Sequence, residues 1–256
     1  MNHKARKRFG QNFLQDFSVI ERILSSMRLS ADDNVVEVGP GLGALTLPLL
    51  EQLDRLHVIE IDRDLIARLE AKNLEGLHIQ SADVLSVDFS TLAVGNSLRV
   101  VGNLPYNIGT PLLLRLLEVH PLLRDIHVML QKEVVDRLHA TCNSRSYGRL
   151  SVMMQSVFEV EPLFTVPPHS FEPAPKVDSA VVRLRPLATP LAKDDVAALE
   201  RCTRIAFANK RKTLRNNLKA HINDQSLEAI DINPQARAET LDIEAFHRLS
   251  KRLSQG

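Results

Sequence analysis

The sequence predicts an α/β architecture: a doubly wound, mostly parallel sheet followed by a small all-helical domain. Three observations predict it. Short apolar, β-branched runs alternate with helical apolar spacing from residue 16 to residue 140. The strands end in glycine, asparagine or acidic residues, as they do where a βα unit turns back on itself. Beyond Pro186 no strand pattern recurs.

The elements follow in order. Residues 16–29 form a helix, with Phe17, Ile20, Ile23, Leu24 and Met27 near 3.6 spacing. Residues 34–38 are a β-branched strand ending at glycines. Leu42, Leu45, Leu49 and Leu53 then mark one helix face, with Pro48 requiring a kink or a late start. Strands are expected at 56–61, 77–80, 98–102 and 126–130. Helices are expected at 62–72, at 110–119 with Thr110 as cap and Pro111 at the first position, and at 131–140. Residues 150–160 and 179–185 read as two long strands flanking a stiff loop with four prolines, 167–175. Residues 194–208 and 211–222 read as helices, with shorter helical pieces near Asn233-Pro234 and over 242–253. The boundary that results divides the chain into 1–187 and 188–256.

A chain of 256 residues has room for one large domain and a small one. Apolar residues make up 44% and charged residues 25%, ordinary values for a globular chain. No apolar run approaches the ~18 residues of a membrane span. The nearest candidate, 111–130, is broken by Arg115, Glu118, His120, Arg124 and Asp125. The basic N-terminus lacks a signal peptide's apolar core, and Cys142 and Cys202 are too few for a disulfide framework. A cytoplasmic setting without membrane partner is expected, and nothing demands more than a monomer.

The net charge is +1, yet it is unevenly spread. Lys4, Arg6, Lys7 and Arg8 stand at the start without an acid. Arg201, Arg204, Lys210, Arg211, Lys212, Arg215 and Lys219 fall within twenty residues, again without an acid. A solvated helix face usually mixes signs, so this asymmetry points to a polyanion partner.

Chemistry gathers at successive strand ends. Glu37-Val38-Gly39-Pro40-Gly41-Leu42-Gly43 closes the first strand of the series. Alternate glycines let the backbone turn sharply and approach a ligand, and the following helix start favours a negative group. The Gly-x-Gly-x-Gly spacing differs from a pyrophosphate cradle and suits a nucleoside with an amino-acid tail. Glu60 ends the next strand and can accept both hydroxyls of a ribose. Asp83 follows the third and can accept an N–H from an adenine amino group. Asp62 and Asp64 are expected to face solvent. No metal-ligand cluster, nucleoside-triphosphate loop or nucleophile elbow is present in the sequence.

Asn103-Leu104-Pro105-Tyr106 is the most informative stretch. An amide and a carbonyl can each accept one N–H of an exocyclic amine, while an aromatic ring stacks on the base. Pro105 stiffens the grip. The bland alternative is a strand-to-loop turn.

Together these motifs resemble those of S-adenosylmethionine-dependent adenine-N6 methyltransferases. Phe9-Gly10-Gln11-Asn12-Phe13-Leu14 and Phe171-Glu172-Pro173-Ala174-Pro175-Lys176-Val177-Asp178-Ser179 narrow the resemblance to the ribosomal RNA adenine dimethyltransferases. The stretch 207–218, Phe207 to Leu218 with Lys210-Arg211-Lys212, is similar to the family's small-subunit branch. The resemblance implies a Rossmann-like methyltransferase sheet of seven strands and S-adenosylmethionine as cofactor. Asn12 and Leu14 would close over that cofactor, Gly39 and Gly41 border its methionine part, Glu60 its ribose and Asp83 its adenine. Asn103 and Leu104 would face the reacting centre, and Tyr106 and Phe171 would sandwich the target adenine. An aromatic tucked into the core beneath the proline-rich loop is the alternative for Phe171. Arg6, Lys7, Arg8, Lys210, Arg211, Lys212 and Arg215 would hold phosphates of small-subunit RNA in a 30S particle. Ser81-Ala82 precedes Asp83 where the family often has Gly, and Gly109 stands where Ser is common.

The chemistry so implied needs two acceptors on N6 and no general base, so no titrating catalytic carboxylate is expected. The rival readings are a large-subunit RNA methyltransferase conferring antibiotic resistance, a DNA adenine methyltransferase, and an assembly factor that acts mainly by binding.

Overall fold

A computed structural model describes residues 11–94 and 97–255. They form two compact units. The first holds the described residues up to Val135 together with Glu161–Pro186, and the second holds Asp136–Val160 and the chain from Leu187 onward.

The first unit is built on a sheet of seven strands. In chain order they are β2 (Val35–Val38), β3 (Leu56–Glu60), β4 (Leu77–Ser81), β5 (Leu98–Asn103), β6 (Leu123–Gln131), β7 (Phe158–Val166) and β9 (Ser179–Pro186). Their spatial order is β4-β3-β2-β5-β6-β9-β7. The pairs from β4 across to β6 are parallel, and β9 runs antiparallel to β6. The order reverses beside β2, between β3 and β5. In such sheets ligands bind outside the carboxyl ends at that switch point. A separate two-stranded ladder joins β1 (Phe13–Leu14) to β8 (Phe171–Glu172).

Apolar runs make the central strands. All four residues of β2 are buried, as in a sheet covered on both faces. One face packs against α1 (Phe17–Met27), whose Ile20, Ile23, Leu24 and Met27 meet Val35, Val58, Val101, Met129 and Val181 in one core cluster. Asp16 caps that helix by accepting from the Ser18 and Val19 amides.

Local chemistry moves several expected boundaries. The helix after the glycine turn, α2 (Thr46–Leu50), starts late, which leaves Pro48 in its first turn where a missing N–H costs nothing. Five residues give it little dipole to offer an anion. α3 (Arg63–Glu70) is capped by Asp62. α4 (Gly109–Glu118) is not capped by Thr110, because the amides of Ile108 and Gly109 already turn back onto the Pro105 carbonyl. α5 (Lys132–Leu138) follows β6 directly.

The largest departure is at 150–160, expected as strand. Residues Arg149–Gln155 form helix α6, and β7 begins only at Phe158. Leu150, Ser151, Val152, Met153 and Met154 are all buried, so the segment has no polar side to reveal its period. The Gly148 amide donates to Ser151 Oγ (3.1 Å) and starts the helix. In the second unit α7 (Lys193–Ala206) packs with α6, α8 (Leu214–Leu218) and α10 (Ile243–Ser254), with Leu199, Leu214, Phe246 and Leu249 buried, and α9 (Asp224–Glu228) buries Leu227. The helix expected at 211–222 shrinks to α8. Asn217 Nδ2 reaches the carbonyls of Ala206 (2.8 Å) and Asn209 (3.2 Å), which folds the preceding residues into a turn. Among the described residues no helix is long and apolar enough to cross a membrane.

Candidate active site

The carboxyl ends of β2, β3, β4 and β5 open onto a cleft of about 230 Å³. Its floor is the glycine turn. Gly39, Gly41 and Gly43 have φ of +70°, +59° and +93°, a region that L side chains rarely adopt. A Cβ on Gly41 would also stand 3.2 Å from the Phe13 ring. The turn is pinned by the Gly39 amide on the Ile59 carbonyl (2.9 Å).

Glu60 ends β3 and is 7% exposed. Its Oε1 accepts from the amides of Ile61 (2.8 Å) and Asp62 (2.9 Å), while Oε2 has only a long contact with the Gly41 amide (3.4 Å). Oε2 is therefore the atom with spare capacity for a ligand hydroxyl. Asp83 lines the cleft beyond β4 and accepts from the Leu85 amide (3.0 Å), which fixes its carboxylate at a turn.

Residues 11–14 run across this cleft as a strap. Gln11 Nε2 donates to Asp62 Oδ2 (3.2 Å), and Asn103 Nδ2 donates to the Asn12 carbonyl (2.9 Å). Leu14 pairs with Phe171 in the small ladder and is buried. Asp62 thus does not face solvent; it is 1% exposed, caps α3 and holds the strap. Nothing in the local sequence signals a partner 51 positions away.

On the other wall stand Asn103, Leu104 and Tyr106. With Nδ2 committed to a carbonyl, Asn103 Oδ1 is the end of the amide left for a ligand N–H. Leu104 is buried, and its amide is tied to the Met129 carbonyl (3.2 Å). The Tyr106 hydroxyl shares a hydrogen bond with Ser179 Oγ (3.0 Å). Phe171 does not join them. It is 4% exposed, belongs to the core cluster and is absent from the cleft wall. Its backbone pairs with Leu14, and its ring packs with that cluster.

The whole chain can be compared with known proteins. The family described as ribosomal RNA adenine dimethylase matches residues 2–255. The chain belongs to that family. Ribosomal RNA small subunit methyltransferase A of Neisseria meningitidis Z2491 is 52% identical over 254 residues, covering 98% of this chain and 97% of that protein. The protein of the same name from Pectobacterium atrosepticum is 50% identical, with 99% and 95% covered. Among solved structures, a dimethyladenosine transferase from Plasmodium falciparum superposes with a TM-score of 0.80 at 24% identity, covering 95% of this chain and 98% of that one. The 23S rRNA methyltransferase ErmE gives 0.67 at 27%, with 95% and 100% covered.

Two features of this dimethylase escape a sequence reading. Glu37 lies in the cleft wall at 1% exposure, at the end of a strand buried on both faces. Burial pushes its carboxyl up to about 8; the Thr46 hydroxyl at 2.7 Å opposes this and the nearby Glu60 charge adds to it. A titrating carboxyl therefore does sit in the cleft, although its bonded partner is Thr46. The visible signal was an acid inside an otherwise apolar four-residue run. The second feature concerns the basic segment. Lys210, Arg211 and Lys212 are exposed on the turn before α8, whereas Arg215 is ion-paired with Asp224. Arg6, Lys7 and Arg8 lie outside the described residues. Among the described residues no group of three or more His, Cys, Asp or Glu side chains could hold a metal ion.

Proposed function

We propose that this dimethylase moves methyl groups from S-adenosylmethionine to N6 of two adjacent adenosines in a hairpin loop near the 3′ end of small-subunit ribosomal RNA, within a 30S particle. One observation carries the chemistry: an amide with its oxygen free stands across one cleft from a glycine turn and a strand-end carboxylate. The choice of RNA rests on relatives named for the small subunit at 50–52% identity, against 27% for the 23S enzyme ErmE.

The residues fit the cofactor. A carboxylate oxygen with one long contact suits the ribose, the glycine backbone suits the amino-acid tail, and Asp83 suits the adenine amine. Asn12 and Leu14 of the strap would cover it. When bound, the cofactor supplies a sulfonium methyl, already an activated electrophile. The protein's task is then to prepare and place the acceptor.

Adenine N6 is a poor nucleophile because its lone pair is delocalised into the ring. Asn103 Oδ1 and the Leu104 carbonyl would each accept one N6–H and hold it out of the ring plane. That would free the lone pair to form the new N–C bond as the methyl's bond to sulfur breaks and leaves its electron pair on the sulfur. The proton is lost to solvent after methylation, so Glu37 need not take it. Tyr106 would stack on the extruded base, worth ~1–3 kcal/mol. Lys210, Arg211 and Lys212 would contact phosphates.

The test is a substrate panel with methyl-labelled cofactor: small-subunit particles, naked small-subunit RNA, large-subunit RNA and duplex DNA. N6,N6-dimethyladenosine should appear at paired positions with the small-subunit substrates. Label on large-subunit RNA or DNA alone would overturn the proposal, and binding without any label would favour an assembly factor.

A further inference from the structure

Resting on that reading, we infer that Ser179 is a positioning residue for the target base, acting through the hydroxyl of Tyr106. The two side chains come from opposite directions. Tyr106 lies on the short turn after β5, where Ile108 and Gly109 donate to the Pro105 carbonyl at 3.0 and 3.3 Å. Ser179 is the first residue of β9, paired with Gln131 at the end of β6 and 1% exposed. The neighbouring Lys132 amide donates to the Asp178 carbonyl at 2.9 Å, so the start of β9 is held to the end of β6 by two successive contacts.

The ring of Tyr106 is only half-buried, on the cleft wall. Its backbone is braced by the turn, but packing on one side leaves the ring free to rotate about χ1 and χ2. A stacking surface works only when its plane is set before the base arrives, since ordering it afterwards costs binding free energy. The 3.0 Å bond to Ser179 Oγ supplies the missing restraint at the ring's far end. Gly109 keeps this arrangement compact: a Cβ there would stand 2.5 Å from Leu130 Cδ2, so the turn sits hard against β6, the strand that carries β9.

Ser179 touches neither cofactor nor base in this scheme. Its loss should leave the Kd for S-adenosylmethionine unchanged and should not lower the rate at saturating RNA by more than a small factor. It should raise KM for RNA ~3- to 10-fold, the range expected for one hydrogen bond of this kind.

The experiment is a double-mutant cycle of Ser179→Ala and Tyr106→Phe in the full chain. Each is measured for KM and kcat with small-subunit particles, for cofactor Kd and for thermal stability. Tyr106→Phe keeps the stacking ring and tests the same bond from the other end, so a folding defect in Ser179→Ala does not decide the outcome. Both single variants should raise KM by similar factors, and the double variant should be no worse than either, because all three lack one bond. Ser179→Thr, which keeps a hydroxyl, should recover most of the loss. An unchanged KM in Tyr106→Phe, or factors that multiply in the double variant, would overturn the inference. Failure of the parent enzyme to methylate adenosine would instead overturn the function on which it rests.

Discussion

The two ends of one sheet treat polar groups in opposite ways. At the amino end, Arg99 on β5 is 1% exposed and each of its three guanidinium nitrogens has a partner. It meets Asp125 through Nε (2.9 Å) and Nη2 (2.7 Å), Asp33 through Nη1 (2.6 Å), and the Met27 carbonyl through Nη2. At the carboxyl end, Asn103 and Glu60 each keep an oxygen that is free or weakly occupied, above a glycine turn. The same parallel strands carry both sets. An ion-paired arginine anchors the fold, whereas a cluster with spare acceptors is equipped to take a ligand.

The contrast extends to protonation. At the amino end, burial works against the charge on Asp125, yet the His127 ring and Arg99 outweigh it and hold the carboxyl down at about 2. His127 Nδ1 stands 3.6 Å away, beyond hydrogen-bond distance, so Arg99 is the bonded partner. At the carboxyl end, Glu37 has one hydroxyl and no cation bonded to it, and burial wins.

The largest effect should come from the amino end. Arg99→Met leaves the buried Asp125 carboxylate without its bonded cation, while Asp33 keeps Arg124 (2.6 Å), and should cost ~3–5 kcal/mol of stability, read from denaturant midpoints. At temperatures where the variant stays folded, kcat should change little. A large loss of kcat without loss of stability would merge two regions that the contrast separates. Asn103→Ala should do the reverse, raising the barrier by ~3 kcal/mol, or roughly a hundredfold in turnover, with stability nearly intact and cofactor binding weakened only by the loss of the strap's 2.9 Å tie. Near-normal turnover would remove the amide from the chemistry.

The pH profile of stability separates the ends again. The Asp125 carboxyl is depressed, so its contribution is present above the ordinary carboxylate range and is lost as pH falls toward about 2. The Glu37 carboxyl is raised, so its contribution is complete below that range, drains away as pH rises and levels off past about 8. Asp125→Asn should flatten the acid limb and Glu37→Gln the neutral one, measured as unfolding free energy against pH. The same limb flattening in both variants would refute the assignment. The smallest effect is in the second unit. Neutralising Lys210, Arg211 and Lys212 should reduce the log–log salt slope of RNA binding by ~0.7 for each lost contact. Neutralising Arg215, already paired with Asp224, should change it less.

Much of the fold was legible because β2 to β6 are short apolar runs that end in turn-forming residues. The cleft followed, since glycines, Glu60, Asp83 and Asn103 each close a strand. Features that depend on packing were hidden. α6 lacks a polar face, so its period is invisible, and the burial of Phe171 in the core cluster depends on a ladder with Leu14 that joins distant parts of the chain. The Gln11–Asp62 tie and the Arg215–Asp224 pair join residues whose separation along the chain gives no hint of partnership. Sequence composition revealed the excess of cations near Lys210, but not which of them is already neutralised.

The proposed function puts a methyl donor and an extruded adenine together in one cleft beside Asn103. An analogue with adenosine N6 joined through a short alkyl chain to a nitrogen that replaces the sulfur of S-adenosylhomocysteine tests it by direct binding. It should bind more tightly than either half alone, compete with both cofactor and RNA, and weaken markedly in Asn103→Ala. Binding no tighter than the cofactor half, with no competition against RNA, would contradict the claim.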